Sequence, residues 1–119
     1  MLINIIMASN SETILNSTTH VGDSTVQTVT GLKYRGDGYY GRSDGLHTVQ
    51  YTYIEFTGTI TIEATLEIDP TENDWFTVHE YVAAQESSSK IANFIGNYVW
   101  IRAYIVFTDG SISSIILNH

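Results

Sequence analysis

Residues 59 to 68 read Thr-Ile-Thr-Ile-Glu-Ala-Thr-Leu-Glu-Ile, an unbroken alternation of polar and apolar side chains. Because successive side chains of a strand point to opposite faces, this pattern predicts a strand with a dry face and a wet face. The dry set is Ile60, Ile62, Ala64, Leu66 and Ile68, and the wet set is Thr59, Thr61, Glu63, Thr65 and Glu67. In a helix the same apolar residues would scatter around the axis. The stretch therefore predicts an antiparallel sheet that is buried on one side.

Composition supports an all-β protein of one domain. The chain has 119 residues, enough to bury about two-thirds of its unfolded surface in a single core. It has no cysteine, which excludes disulfides and cysteine-zinc sites. Five Lys and Arg against 13 Asp and Glu give a formal charge of −8, which disfavours nucleic acid and anionic membranes as partners.

Strand and turn signals predict a single antiparallel β-sandwich of about six to eight strands, of the jelly-roll or immunoglobulin-like kind. We expect residues 1–24 to form an N-terminal strand and extended arm, and residues 25–119 to form the sandwich. Strands are expected at 25–34, broken near Gly31, and at 46–56, 59–68, 75–81, 98–107 and 111–118.

The connections follow from turn composition. Thr57-Gly58 predicts a tight turn, and Asp69 to Asp74 predicts a turn around Pro70. The serine-rich segment from Val82 to Lys90 predicts a long loop. Asp109-Gly110 lies between two strand-like runs, the strongest hairpin signal in the chain.

The N-terminus begins Met-Leu-Ile-Asn-Ile-Ile-Met, which is too short to span a membrane and lacks the basic flank of a secretion signal. We expect either a short edge strand here or translation that starts at Met7. The polar residues that follow predict an arm, and Leu2 to Val21 would lie on a neighbouring subunit.

No pattern of residues predicts catalysis, a cofactor or a metal. The four histidines, His20, His47, His79 and His119, lie far apart and form no ligand motif. The acidic residues fall in turns without a calcium-loop pattern. The chain also has no Gly-x-Ser-x-Gly elbow and no phosphate-binding loop. We therefore expect no enzyme.

Aromatic residues and arginine supply the candidate interaction residues. The strand from Tyr98 to Phe107 places an apolar set, Val99, Ile101, Ala103, Ile105 and Phe107, on its inner face. Its other face carries an aromatic set with one arginine, Tyr98, Trp100, Arg102 and Tyr104. Both faces are therefore partly covered, and the strand is expected to be central. Clusters of aromatic residues and arginine concentrate binding energy, which predicts a subunit contact and leaves a sugar-stacking platform as the alternative.

Three segments carry a resemblance to a known family: residues 36–51, which include Gly36-Asp37-Gly38-Tyr39-Tyr40-Gly41-Arg42, residues 63–76, and residues 96–103, Gly-Asn-Tyr-Val-Trp-Ile-Arg-Ala. In pattern, residues 31 to 117 resemble small virion structural proteins of tailed bacteriophages, particularly cyanophage-like myoviruses. In such proteins a strand, a Trp-bearing turn, an aromatic strand ending in Arg-Ala and a closing hairpin form one sandwich.

This resemblance implies a structural component of a phage virion, a capsid decoration protein or a related module of the tail or fibre. Its expected partners are copies of itself, with a trimer among the suitable states, and other virion proteins such as the major capsid protein. The expected interface residues are Tyr39, Tyr40, Arg42, Trp75, Tyr98, Trp100, Arg102 and Tyr104. The alternative is a carbohydrate-binding or receptor-binding module of a fibre or of a secreted glycosidase, with Trp75, Tyr39, Tyr40 and loop acids at the sugar site.

Overall fold

The structure, a computed structural model, describes residues 11–42 and 44–119. These residues form one antiparallel sheet of seven strands, with a single 3₁₀ turn at Glu72–Asp74 and no α-helix in the part described. The strands are β1 (Ser11–Leu15), β2 (Thr18–Thr19), β3 (Gln27–Thr30), β4 (Tyr34–Arg35), β5 (Leu46–Thr65), β6 (Phe76–Ile95) and β7 (Trp100–Asn118).

Three long strands carry the sheet, in the order β6, β5, β7. The four short strands β1 to β4 follow one another along the free side of β7, and all of them pair with it antiparallel. Strand β7 is therefore central along its whole length, as its two apolar faces predict. At one point of the register, Ala64 of β5 lies between Phe76 of β6 and Ile101 of β7.

The sheet is folded over along a crease that crosses all three long strands. A straight strand of 20 residues would be about 66 Å long, more than the greatest dimension of the molecule, 50 Å. Each long strand has a left-handed residue near its middle, Glu55 (φ 50°), Gln85 (φ 53°) and Gly110 (φ 89°), and the pairing of β5 shifts register there. Such bulges bend a strand and increase its twist.

Folding at the crease turns the one sheet into a sandwich of two layers. The first layer contains β1, β2 and the parts of the long strands that include Tyr51, and the second contains β3, β4 and the parts that include His79. Across the layers, Tyr51 Oη lies 2.9 Å from His79 Nε2. The side chains between the layers are fully buried, and each large one contributes about 1.5–3 kcal/mol to folding. They include Val49, Tyr51, Tyr53, Phe56, Ile60, Ile62, Ile101, Ile105, Phe107, Ile112, Ile115 and Leu117.

The predicted all-β sandwich is confirmed, but three predicted connections are wrong. Thr57-Gly58 and Asp109-Gly110 do not reverse the chain, because both lie inside long strands that bend at the crease. The segment from Val82 to Lys90 is not a loop either, since β6 runs through it. Its serines pair with β5, and Thr52 Oγ1 lies 2.8 Å from Ser89 Oγ. Polar composition therefore does not end this strand.

The ends of two strands also differ from prediction. Strand β5 ends at Thr65, so Leu66 and Ile68 leave the dry face and are 67% and 73% exposed. Strand β7 begins at Trp100, although its inner set from Ile101 to Phe107 is buried as predicted. The predicted turn before Trp75 is confirmed as the 3₁₀ turn, where Asp74 Oδ2 accepts a hydrogen bond from the Thr71 backbone N–H at 2.6 Å.

The described part of the N-terminal arm belongs to the sheet of its own chain. Residues 11–15 and 18–19 pair with β7, and Ser11 lies opposite Asn118. The predictions of an edge strand at residues 2–7 and of a start at Met7 lie outside the described residues. Contact between the arm and a neighbouring subunit stays a prediction.

Candidate functional site

Four of the eight predicted interface residues come together on the outer side of the second layer. Trp100 points outward, since the next residue, Ile101, is buried. The Tyr39 ring lies 5.2 Å from the Trp100 ring and 5.5 Å from the Tyr40 ring, measured between centroids. Arg42 covers Tyr40, with its Cζ 4.6 Å from the ring centroid. The result is a continuous aromatic surface that includes one arginine.

Two further cations, which the sequence analysis missed, complete this surface. Arg35 pairs with Trp100 across strands β4 and β7 and lies 4.6 Å from the Tyr39 ring centroid. Lys33 Nζ lies 5.0 Å from the Trp100 ring centroid. Each of the three rings thus has its own cation. A cation over the face of an aromatic ring is attracted electrostatically by the ring quadrupole. We name this surface the basic aromatic patch: Lys33, Arg35, Tyr39, Tyr40, Arg42 and Trp100.

Positive charge is concentrated at the patch. It holds three of the five Lys and Arg residues of a chain whose formal charge is −8. Arg42 is paired with Asp37 at 3.3 Å, but among the described residues neither Lys33 nor Arg35 forms an ion pair. In the sequence, these three cations lie within ten residues, at positions 33, 35 and 42. That clustering of positive charge is the signal that could have identified the patch. A pocket of about 250 Å³ opens between its cations, lined by Glu12, Lys33, Tyr34, Arg35, Tyr40 and Trp100.

A buried carboxylate holds the loop that carries Tyr39 and Tyr40. Asp37 is 1% exposed, and its Oδ1 lies 2.9 Å from His119 Nδ1. Its backbone carbonyl accepts hydrogen bonds from the N–H groups of Tyr40 and Arg42. Burial alone would raise the pKa of Asp37, but its hydrogen bonds, with Asp44 and His119 foremost, bring that pKa below its ordinary value. The carboxylate is therefore charged in the folded protein at neutral pH.

His47 supports the same loop from inside the sandwich. Its Nδ1 lies 2.8 Å from the Gly45 carbonyl and its Nε2 accepts a hydrogen bond from the Asp37 N–H at 3.2 Å. These two partners fix a neutral imidazole with its proton on Nδ1. Burial lowers the pKa of His47, which agrees with the neutral form. This histidine is thus a structural support, and it has no ring nitrogen left for a ligand.

Trp75 and Arg102 form a closed network beside the patch. The Arg102 guanidinium lies 4.2 Å from the Trp75 ring centroid and donates to Glu63 Oε1 at 2.8 Å and to both carboxylate oxygens of Glu72 at 3.2 Å. Burial opposes the charge of Arg102, but the two glutamates outweigh it and raise its pKa. Arg102 is 6% exposed, and its three hydrogen bonds to the two glutamates use three of its five N–H donors. The network therefore stabilises the fold, and a contact role for Trp75 and Arg102 stays a prediction.

The last two predicted interface residues lie elsewhere. Tyr98 precedes β7, packs against Phe94 and His47, and does not share a face with Trp100. Tyr104 is half-buried on the outer face, opposite Thr30 and Thr61. In the described chain no ring contact joins Trp75 to Tyr39 or Tyr40, and a sugar site on those three residues stays a prediction.

A larger cleft lies at the end of the sandwich, where β5 ends and β6 begins. We call it the end cleft; its volume is about 440 Å³. Phe76, which is 69% exposed, and Tyr98 supply aromatic surface. Among the polar residues, the side chains of Glu67 and Asn73 form no hydrogen bond or ion pair with the described residues. The full lining is Ala64, Thr65, Leu66, Glu67, Asn73, Asp74, Phe76, Thr77, Val78 and Tyr98.

Neither surface offers a metal centre. Within residues 11–42 and 44–119, no three His, Cys, Asp or Glu side chains lie close enough to hold a metal ion. The same residues contain no helix that is long and apolar enough to cross a membrane.

Similarities to solved structures are distant in sequence. The family 29 carbohydrate-binding module CBM29_1 from Piromyces equi aligns with a TM-score of 0.48 and 8% identity, over 94% of this chain and 92% of that one. The module CBM6cm-2 of Cellvibrio mixtus lichenase 5A, solved in complex with cellotriose, aligns with a TM-score of 0.41 and 16% identity. The alignment covers 91% of this chain and 98% of that one. A chain of infectious bursal disease virus, Gt strain, aligns with a TM-score of 0.47 and 12% identity, over 92% of this chain and 30% of that one. No protein-family model matches this chain, and no curated protein matches it.

Proposed function

We propose that the protein is a non-catalytic carbohydrate-binding module whose sugar site is the end cleft. The observation that carries this proposal is the large exposed ring of Phe76 in one concave site with Glu67 and Asn73, polar side chains that have no partner among the described residues. An exposed ring of this size is a binding feature when it lies in a cleft that also holds polar groups.

The chemistry of the cleft suits a sugar ring. A sugar has apolar C–H faces that pack on aromatic rings, here Phe76 and Tyr98. Its hydroxyl groups need planar polar partners, which the Asn73 amide and the Glu67 carboxylate supply. The volume of about 440 Å³ falls in the range of small-ligand sites, roughly 300–1,000 Å³.

The carboxylates of the cleft favour binding over hydrolysis. A glycosidase uses two carboxyl groups on opposite sides of the scissile bond. Asp74 already accepts hydrogen bonds from the backbone and the hydroxyl of Thr71, at 2.6 and 3.0 Å. Among the described lining residues this leaves Glu67 as the one carboxylate without a partner. A single free carboxylate is enough to accept a hydroxyl hydrogen bond.

A glycan array followed by titration calorimetry tests the proposal. We expect specific binding of a neutral oligosaccharide that Phe76→Ala weakens about tenfold or more through lost stacking and burial. Val82→Ala is the matched control, because Val82 is 66% exposed, also lies on β6 and is not among the residues that line the end cleft. Absence of binding to any glycan, or equal losses in both variants, contradicts the proposal.

A second observation favours a structural role in a virion, as the sequence resemblance implies. The outer face of the first layer has no charged residue among those described, although the formal net charge of the chain is −8. The residues that alternate with the buried ones on this uncharged face are Leu46, Thr48, Gln50, Thr52 and Ile54 on β5, Ser89, Ile91, Asn93 and Ile95 on β6, Ser114, Ile116 and Asn118 on β7, and Ser11 and Thr13 on β1.

We infer that a second copy of this chain is the partner of the uncharged face. Two copies with a charge of −8 repel one another, and contact through a face without charge avoids placing like charges together. Leu46, Ile91 and Ile95, which are 49–73% exposed, supply apolar contact area. A capsid decoration protein or a tail or fibre module needs such contacts between copies, and a trimer is one suitable state.

Sedimentation of the purified protein and electron microscopy of phage particles test this role. Gln50→Lys places a charge in the middle of the uncharged face and should dissociate the oligomer. Thr28→Lys, on an exposed position of β3 in the other layer, adds the same charge and should not. A monomer at high protein concentration, or absence of the protein from particles, overturns the structural role.

A further inference from the structure

We propose that the pocket between Lys33 and Arg35 in the basic aromatic patch binds the anionic group of an acidic saccharide, a carboxylate or a sulfate ester carried on a sugar ring. This inference rests on the proposed carbohydrate-binding function but concerns a different site. The end cleft and this pocket share no lining residue.

The charge of the pocket is the first argument. Lys33 immediately precedes strand β4 and Arg35 ends it, and both residues line the pocket. Neither cation forms an ion pair with a described residue. In a chain with 13 acidic residues, two unpaired cations beside one another are available for an anion from outside.

The rings supply the second argument. Trp100 and Tyr40 line the same pocket as the two cations. Their rings offer apolar surface for the C–H groups of a sugar, next to the position of the anion. Trp100 is held in place because its Nε1 donates a hydrogen bond to the Ile68 carbonyl at 2.8 Å. The Trp100 ring is therefore a fixed surface, and Lys33 Nζ lies 5.0 Å from its centroid.

Glu12 favours a saccharide over an acidic peptide. Its carboxylate lines the pocket and lies 3.7 Å from His119 Nε2. A sugar acid carries hydroxyl donors that a carboxylate can accept while its anionic group meets Lys33 and Arg35. Closely spaced Asp or Glu side chains of a peptide would place like charge against Glu12. The pocket of about 250 Å³ fits one such residue of a saccharide chain.

Calorimetric titrations with matched probes test the inference. We use a neutral oligosaccharide, an oligouronate and a sulfated oligosaccharide of equal length, and a single-stranded oligonucleotide as a general polyanion. We expect the oligouronate or the sulfated probe to bind, and the double variant Lys33→Gln/Arg35→Gln to weaken it by about tenfold or more, since hydrogen bonds to charged groups are lost. The probe that binds identifies the anionic group.

Lys90→Gln is the control for a positive charge lost outside the pocket, and it is compared with the single variant Lys33→Gln, which removes the same amount of charge. Lys90 also lies over an aromatic ring, with its Nζ 5.1 Å from the Tyr81 ring centroid, but it is far from the patch on β6. We expect it to bind the acidic probe as the wild type does. Because the chain has two tryptophans, the indole N–H resonances provide a second readout. The acidic probe should shift the resonance of Trp100 and not that of Trp75.

The outcomes separate this inference from the proposed function. Acidic binding that survives Phe76→Ala but is lost in the Lys33/Arg35 variant supports the pocket. Neutral binding lost in Phe76→Ala, with no added affinity for either acidic probe, leaves the end cleft intact and overturns the inference. Equal losses in Lys90→Gln, or equal affinity for the oligonucleotide, also overturn it.

Discussion

Asp37 Oδ1 and His119 Nδ1 lie 2.9 Å apart, although 82 residues separate them in the chain. The contact joins the loop that carries Tyr39 and Tyr40 to the end of strand β7. Both side chains are almost fully buried, at 2% and 5% exposure. The Tyr40 ring stacks on the His119 ring with 5.7 Å between centroids. The shape of the basic aromatic patch therefore depends on a carboxylate beneath it.

Asp37→Asn should destabilise the protein by about 2–3 kcal/mol, because it leaves hydrogen-bonded groups without their buried charged partner. The same substitution should also lower the affinity of the basic aromatic patch for its ligand. Asp69→Asn is the control, since Asp69 is exposed and its carboxylate forms no hydrogen bond or ion pair with the described residues. Urea denaturation measures both. Similar midpoints for the two variants would show that Asp37 does not hold the loop.

Stability should fall as the pH is lowered below about 6.5, where an unperturbed histidine titrates. Burial lowers the pKa of His79, so the unfolded chain takes up its proton at a higher pH than the folded protein does. Stability from the neutral imidazole is thus fully present above the unfolded pKa and is lost as pH falls toward the folded pKa. Burial lowers the pKa of His47 as well, which adds to the same trend.

Urea denaturation of His79→Gln at pH 7.5 and pH 5 tests this trend. Glutamine keeps an acceptor for the Tyr51 hydroxyl, which lies 2.9 Å from His79 Nε2, but cannot titrate. We expect the variant to lose less stability than the wild type between the two pH values. An unchanged loss would mean that His79 does not contribute to the pH dependence.

Gly110→Ala should be strongly destabilising, because the crease of β7 needs both a left-handed residue and a missing side chain. Gly110 has φ 89°, and a Cβ there would overlap the Glu55 carbonyl on β5. Gly22→Ala is a close control, since Gly22 has φ 87° but open space around it. Strain alone costs about 1–3 kcal/mol in each case. Thermal unfolding should therefore show a larger loss at Gly110, and equal losses would argue against close contact at the crease.

This crease also shows what the sequence can predict and what it cannot. Alternation identified the inner faces of β5 and β7, because every second side chain of a half-buried strand is apolar and points into the core. The ends of strands were harder to predict, since Asp109-Gly110 has the composition of a hairpin turn. A bulge needs the same left-handed backbone. Whether the chain reverses or bends depends on whether the neighbouring strands continue, which no local pattern contains.

The basic aromatic patch was half predicted for the same reason. Aromatic residues and Arg42 are recognisable as binding residues from their type alone. The roles of Lys33 and Arg35 depend on the register between β4 and β7, which places Arg35 opposite Trp100. That register joins segments far apart in the chain. Tyr98 lies outside the strand in which the alternation placed it, because β7 begins two residues later, at Trp100.

Arg102→Lys should destabilise the protein by about 2 kcal/mol, although it conserves the charge. A lysine has no planar group to stack on the Trp75 ring, and its single ammonium cannot bond Glu63 and both oxygens of Glu72 in the same geometry. The two glutamates should differ from one another. The Glu63 side chain is 16% exposed, so Glu63→Gln removes a partner of a buried cation and should cost more than 1 kcal/mol.

Glu72→Gln is the internal comparison for this network. The Glu72 side chain is 81% exposed, and an exposed ion pair contributes about 0–1 kcal/mol. We therefore expect urea midpoints in the order wild type, Glu72→Gln, Glu63→Gln, Arg102→Lys, from most to least stable. If Glu72→Gln proved as damaging as Arg102→Lys, the exposed carboxylate would be holding the segment after β5 in place. The Trp75 and Arg102 network would then depend on its solvent-facing side, not on its buried one.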